Sequence, residues 1–172
     1  MPAVFRLHLP LDDNQLKAIG LVAARWSYLD FELEQTVVEM AGIAKSPGRA
    51  LTMHMTTPLR LRVLAAMAHE LFDDSTNKRI GRLIHRLKQL QTRRNSIIHG
   101  VWGISPEGST AIMWRIKGAE IVLQNEPLSA DDISQIADDI HDLIGDFMEF
   151  NQEDWKPLLK PGALPPPPRD RA

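Results

Sequence analysis

The stretch 77-NKRIGRLIHRLKQLQTRRNSIIHG-100 decides how the rest of the chain reads. Its apolar residues are Ile80, Leu83, Ile84, Leu87, Leu90 and Ile98, the spacing that gives a helix one apolar face. Ser75 or Thr76 is placed to cap its start, and Gly100 to end it, so the predicted helix covers about residues 77–99. Each residue turns the helix by about 100°. Arg94 therefore falls inside the apolar stripe, and Arg93 falls well away from it, toward solvent. A guanidinium does not shed its charge, so an inward-facing Arg94 demands a partner.

The flanking segments predict more helices. Asp12 or Asp13 caps a long first helix, roughly 13–43, with Leu16, Ile19, Ala23, Trp26, Leu33, Val37 and Met40 as a bundle seam and Gly42 as its stop. Asp30 interrupts this seam, and Glu34 lies one turn further at its edge. Asp30, with Glu34 beside it, is the expected partner of Arg94; the bland version is an ion pair that only fixes helix register. Ser46-Pro47 opens a short second helix and Thr57-Pro58 a third, running to about Phe72. After Gly100 the pattern changes to short β-branched and aromatic runs, "VWGIS", "STAIMWRIK" and "AEIVLQN", separated by the turn-like "PEGS" and "KGA". Ser129 and Asp132 form a capping box for a last helix, about 130–151, whose apolar residues run from Ile133 to Phe150.

The fold class is thus mainly α: a bundle of four to five helices with a small antiparallel β-ribbon, about 101–124, inserted before the last helix. The expected organisation is an N-terminal arm over 1–12, one helical domain over 13–151 and a proline-rich flexible tail over 152–172. At 172 residues with no cysteine, the chain is long enough for a core and has no disulfide scaffold or thiolate chemistry. No apolar run is long enough to span a bilayer and no secretory signal is evident, so the expected location is the cytoplasm, with no membrane partner.

The net charge of −2 hides a marked segregation. From Ser75 to Pro106 there are seven Lys or Arg and no acid; from Glu120 to Asp154 there are eleven acids and no Lys or Arg. Either the two segments pack together and neutralise each other, or the basic one faces a phosphate-bearing ligand. In the second case Arg79, Arg82, Arg86 and Arg93 form a positive rim for that ligand's phosphates.

The end of the basic helix holds Arg94, Asn95 and His99. Asn95 lies one turn below His99 and is placed to orient it. Arg94 and His99 stand about 140° apart around the helix. The long arginine side chain must curve over the helix end to share a ligand with His99, or a second chain must supply the other half. The helix dipole favours an imidazolium in the last turn, and histidine is the side chain suited to proton transfer near neutral pH. The opposing reading is a histidine that does no more than precede a capping glycine. "HELFDD" (His69, Glu70, Asp73, Asp74) offers metal-ligand types, but the position at a helix end suits a solvated face, so no metal is expected. There is no glycine-rich phosphate loop and no nucleophile elbow, and no cofactor is expected.

The segment Arg94-Asn95-Ser96-Ile97-Ile98-His99 resembles the R-x4-H signature of HEPN domains, in the form with a polar residue directly after the arginine. The helical layout and the first-helix run "RWSYLDFELEQ" are similar to bacterial members, and the resemblance covers roughly residues 13–150. It implies an α-helical homodimer and a metal-independent endoribonuclease of toxin–antitoxin or phage-defence systems. It also implies catalytic roles for Arg94 and His99, with Asn95 in support. Other members of that family are inactive dimerisation or nucleotide-binding modules. The partners implied are an RNA substrate, whose backbone the rim of Arg79, Arg82, Arg86 and Arg93 would contact, or a nucleotide, and an antitoxin or nucleotidyltransferase protein.

Overall fold

A computed structural model describes residues 10–105, 108–117 and 120–163. The element order is α1 (Asp13–Met40), α2 (Lys45–Thr52), α3 (Thr57–Leu71), α4 (Asp74–His99), β1 (Val101–Ser105), β2 (Gly108–Lys117), β3 (Glu120–Pro127), α5 (Ala130–Gln152) and a short 3-10 turn (Lys156–Leu158). Over the described residues the chain is mainly α, with five helices and a three-stranded antiparallel ribbon before the last one, as its periodicity predicts. The ribbon is ordered β1-β2-β3, with Val101 opposite Ile112 and Trp114 opposite Leu123. β3 reaches Pro127, three residues past the expected ribbon end. The expected turns fall partly outside the described residues, at 106–107 and 118–119, as do most of the N-terminal arm and the proline run of the tail.

The helix starts follow local hydrogen bonding. Asp12 accepts the Gln15 N–H at 2.7 Å, and the Gln15 side chain accepts the Asp12 N–H at 3.1 Å, a reciprocal cap on α1. The Ser129–Asp132 box on α5 forms as expected: the Asp132 N–H donates to Ser129 Oγ at 3.1 Å, and Asp132 Oδ2 accepts the Ser129 N–H at 2.9 Å. On α4 the cap is Asp73 rather than Ser75 or Thr76. Its carboxylate accepts the Thr76 N–H at 2.7 Å and the Ser75 hydroxyl at 2.9 Å. These bonds hold the Asp73 carboxyl below its usual 3.8, with the Thr76 backbone N–H the largest influence. Gly42, at φ 65°, turns the chain out of α1 where an L side chain would be strained.

Two compact units divide the chain, where the sequence suggests a single domain: Met1–Arg25 with Leu90–Asp139, and Trp26–Gln89 with Ile140–Ala172. The helices α1, α4 and α5 each contribute a segment to both. In the first unit Ala18, Val22, Leu90, Ile97, Leu128, Ile133, Ile136 and Ala137 are buried. Here α1 is tied by Gln15, which donates to the Leu128 carbonyl at 2.9 Å, and by an Arg25–Asp138 ion pair at 2.6 Å.

In the second unit Leu29, Leu33, Leu61, Leu64, Ile80, Leu87, Phe147 and Phe150 are fully or almost fully buried. The close approach of α2 to α1 rests on Gly48: a Cβ built there would stand 2.4 Å from Val38 Cγ1. Beyond α5 the chain returns to the α3–α4 junction. Leu158 accepts the Asp73 N–H at 2.9 Å, Leu71 accepts the Lys160 N–H at 2.8 Å, and Trp155 stacks on Phe150 at 5.2 Å and meets Phe72 edge-on at 5.7 Å. The flexible tail expected from residue 152 is thereby corrected over 155–160: a buried indole outweighs the solubility of the prolines near it.

The α1 seam also needs correction. Its buried positions run Val22, Trp26, Leu29, Leu33, Thr36, Met40, an unbroken 4–3–4–3–4 series, while Leu16 is exposed. The expected series passes over Leu29 and so places Asp30 in the gap. Asp30 lies beside the seam, a third exposed. On α4 the buried residue of the last turn is Ile97, at 1 % exposure, and Ile98 is only half-buried.

Candidate functional site at the end of the fourth helix

Arg94 lies on the continuation of the α4 stripe, between buried Leu90 and Ile97. Its side chain is half-buried and runs along the last turn of the helix, while His99 is exposed. Arg94 Nη1 donates to Asn95 Oδ1 at 3.1 Å and stands 2.8 Å from His99 Nε2. The three residues singled out by the sequence therefore meet, within one chain. The 140° between Arg94 and His99 is closed by the length of the arginine, as the single-chain alternative requires. Asn95 acts on the arginine rather than on the imidazole.

A guanidinium only donates, so the contact calls on Nε2 to accept, which suits the imidazole tautomer that carries its proton on Nδ1. The helix end is fixed from two sides. Ser96 is buried and its hydroxyl donates to the Thr92 carbonyl at 3.4 Å, and the Trp102 indole N–H donates to the Ile97 carbonyl at 3.2 Å.

The expected pairing of Asp30 with Arg94 is corrected. Asp30 Oδ2 lies 2.6 Å from Arg60 Nη1, and Oδ1 accepts the Thr57 hydroxyl at 3.0 Å. Glu34 accepts the Thr52 hydroxyl at 2.8 Å and stands 3.8 Å from Arg60 Nη2, which also donates to the Thr52 carbonyl at 3.1 Å. Asp30 and Glu34 thus secure α2 and α3 against α1. Arg60, buried at 5 % exposure on the Leu61–Leu64–Ala68 face, went unnoticed in the sequence. A signal was available: Arg60 stands one and four residues before two of the most buried leucines.

The basic rim is largely neutralised. Arg79 pairs with Glu153 at 2.5 Å, Arg86 with Asp146, and Arg93 with Asp139 at 3.4 Å. Arg93, expected to be solvated, is half-exposed and paired. Of the four arginines expected to contact RNA, Arg82 alone is exposed without a carboxylate partner among the described residues. The neutralising alternative holds for the other three, because the acidic α5 lies alongside α4 within each unit.

Asp73, one of the "HELFDD" acids, is engaged as the α4 cap. Among the described residues no three His, Asp or Glu side chains are grouped to hold a metal ion, and no helix is long and apolar enough to cross a membrane. Comparison with protein-family models, curated proteins and solved structures finds no match to this chain.

Proposed function

We propose that the chain is a metal-independent endoribonuclease of the HEPN type, acting as a homodimer in a toxin–antitoxin or phage-defence setting. One observation carries the reading. An exposed imidazole and a half-buried guanidinium share a hydrogen bond of 2.8 Å at the end of a helix, with Asn95 Oδ1 accepting from the same guanidinium nitrogen at 3.1 Å. RNA brings its own nucleophile, so the site has two tasks: to take the proton of a ribose 2′-OH and to stabilise the charge that grows on the phosphorus centre.

In this scheme the scissile phosphate attracts the Arg94 donors, which form charge-assisted bonds to its oxygens. That releases the Nε2 lone pair of His99, which takes the 2′-OH proton. O2′ forms a bond to phosphorus, the bond to the 5′-oxygen breaks, and that oxygen takes up a proton from His99 of a second copy or from water. The products are a 2′,3′-cyclic phosphate and a 5′-hydroxyl end.

The test is cleavage of single-stranded and structured RNA in EDTA. His99→Ala should lose about 10²–10⁴-fold in rate, the usual worth of a proton-transfer group, and Arg94→Ala about 10²–10³-fold, that of a donor to the developing charge. Equal rates in the wild type and both variants would remove the assigned roles. The second reading is an inactive dimerisation or nucleotide-binding module, partnered by a nucleotidyltransferase or an antitoxin. It is favoured by the ion pairs that occupy three arginines of the expected RNA rim. Phosphate-dependent nucleotide binding without cleavage of any RNA would select it.

A further inference from the structure

We infer that Trp102 is a positioning residue for the Arg94–His99 pair, acting through the backbone of the last helical turn. The inference rests on the proposed function for its catalytic consequence, but not for its structural one.

The last carbonyls of a helix have no partner within it. At the end of α4 the Ser96 carbonyl is answered by the Gly100 N–H at 3.1 Å. The Ile97 carbonyl would next be answered by residue 101 in a continuing helix, but Val101 already belongs to β1. The Trp102 indole N–H takes its place, donating to Ile97 at 3.2 Å. A strand side chain thus completes the helix from which the strand emerges.

The consequence falls on His99. Ile97 and Ser96 are anchored by burial on the inner side of the turn. His99 is exposed, and its side chain meets Arg94 at 2.8 Å. Arg94 is held in turn by Asn95 at 3.1 Å, so it is not at liberty to follow a histidine that drifts. Terminal turns fray readily, and a displacement of about 1 Å takes a contact of this length outside hydrogen-bonding range. The tie at Ile97 lies on the segment whose fraying would carry His99 away.

The experiment replaces Trp102 with phenylalanine and, separately, with benzothienylalanine, which exchanges only the indole N–H for sulfur. Far-UV circular dichroism checks the helices, and nitrogen-15 NMR of the His99 ring reads its tautomer. In the wild type the Nδ1–H form should dominate. Both variants should move toward the tautomer mixture of Arg94→Ala, with wild-type helix content. On RNA, kcat should fall about tenfold, the equilibrium worth of one hydrogen bond at the upper end, with KM unchanged. A His99 tautomer unchanged in the benzothienylalanine variant overturns the inference, whatever phenylalanine does to folding. If the wild type cleaves no RNA, the proposed function fails, and the tautomer still decides the role of Trp102.

Discussion

Gly48 offers a quantitative test of the packing of α2 on α1. In Gly48→Ala the new Cβ meets Val38 Cγ1 at 2.4 Å, Cγ2 at 3.1 Å and Cβ at 3.3 Å. Val38 is a buried, β-branched residue inside a helix, where one rotamer dominates, and rotation does not remove its own Cβ. The relief must come from α2 backing away from α1. Two opposed effects then compete. Alanine in a helix gains about 0.8–1 kcal/mol over glycine from backbone entropy. Overpacking a filled interior costs about 1–3 kcal/mol. A retreat of α2 also strains the Thr52 hydroxyl bond to Glu34 and the Arg60 bond to the Thr52 carbonyl, which adds about 1 kcal/mol. The net expectation is a loss of about 1–3 kcal/mol, or several degrees in Tm at roughly 2–4 °C per kcal/mol for a chain of this size. Urea melts of Gly48→Ala, Val38→Ala and the double variant supply the measurement. Val38→Ala alone leaves a cavity and also destabilises. In the double variant the two offending methyl groups are gone, so its loss should be smaller than the sum of the single losses by about 1 kcal/mol or more. A Gly48→Ala protein as stable as wild type, or strict additivity, would falsify the claim that this contact is tight.

Other outcomes follow from the same structure. Arg60→Ala strands Asp30 and Glu34; because these carboxylates keep 33 % and 16 % exposure, the loss should be about 2–4 kcal/mol, below that of a fully enclosed pair. Arg60→Met, which keeps most of the volume, should lose less, and equal losses in urea melts would show that charge rather than packing matters at this site. Asp73 and Asp132 have carboxyls held below the unfolded value of 3.8, by the Thr76 N–H and by Ser129 respectively. Their stabilisation is complete above about pH 4 and disappears as pH falls through the lower folded values. An Asp73→Asn/Asp132→Asn variant should therefore show a shallower acid limb in a stability titration, and an unchanged limb argues against these caps.

The sequence made the helices legible wherever one apolar face dominates. α5 needs only its own residues: a reciprocal Ser–Asp cap and an apolar series that is buried throughout. α1 was harder, because its apolar residues support two phases one position apart. Leu16, Ile19 and Ala23 fit one; Ala18, Val22 and Leu29 fit the other, which Gln15 favours through its bond to Leu128. That slip turned Asp30 into a seam residue and suggested Arg94 as its partner. A charge does not carry the identity of its counterion, and seven basic residues near eleven acidic ones leave many pairings open. The Arg94–His99 meeting was legible only as an alternative, since an angle between Cα positions ignores the reach of an arginine. The order after α5 rests on Trp155, whose burial depends on Phe72, a residue distant in sequence.

The aromatic contact among Phe72, Phe150 and Trp155 has a consequence for the order in which the protein is made. The second unit begins at Trp26, is interrupted after Gln89, and resumes only at Ile140. A ribosome adds about 5–20 residues per second, so Phe72 waits roughly several seconds for the indole that covers it. Throughout that interval its ring and the α3–α4 junction are open to water and to other nascent chains. Folding of this unit therefore closes late, after Arg94 and His99 have already been synthesised.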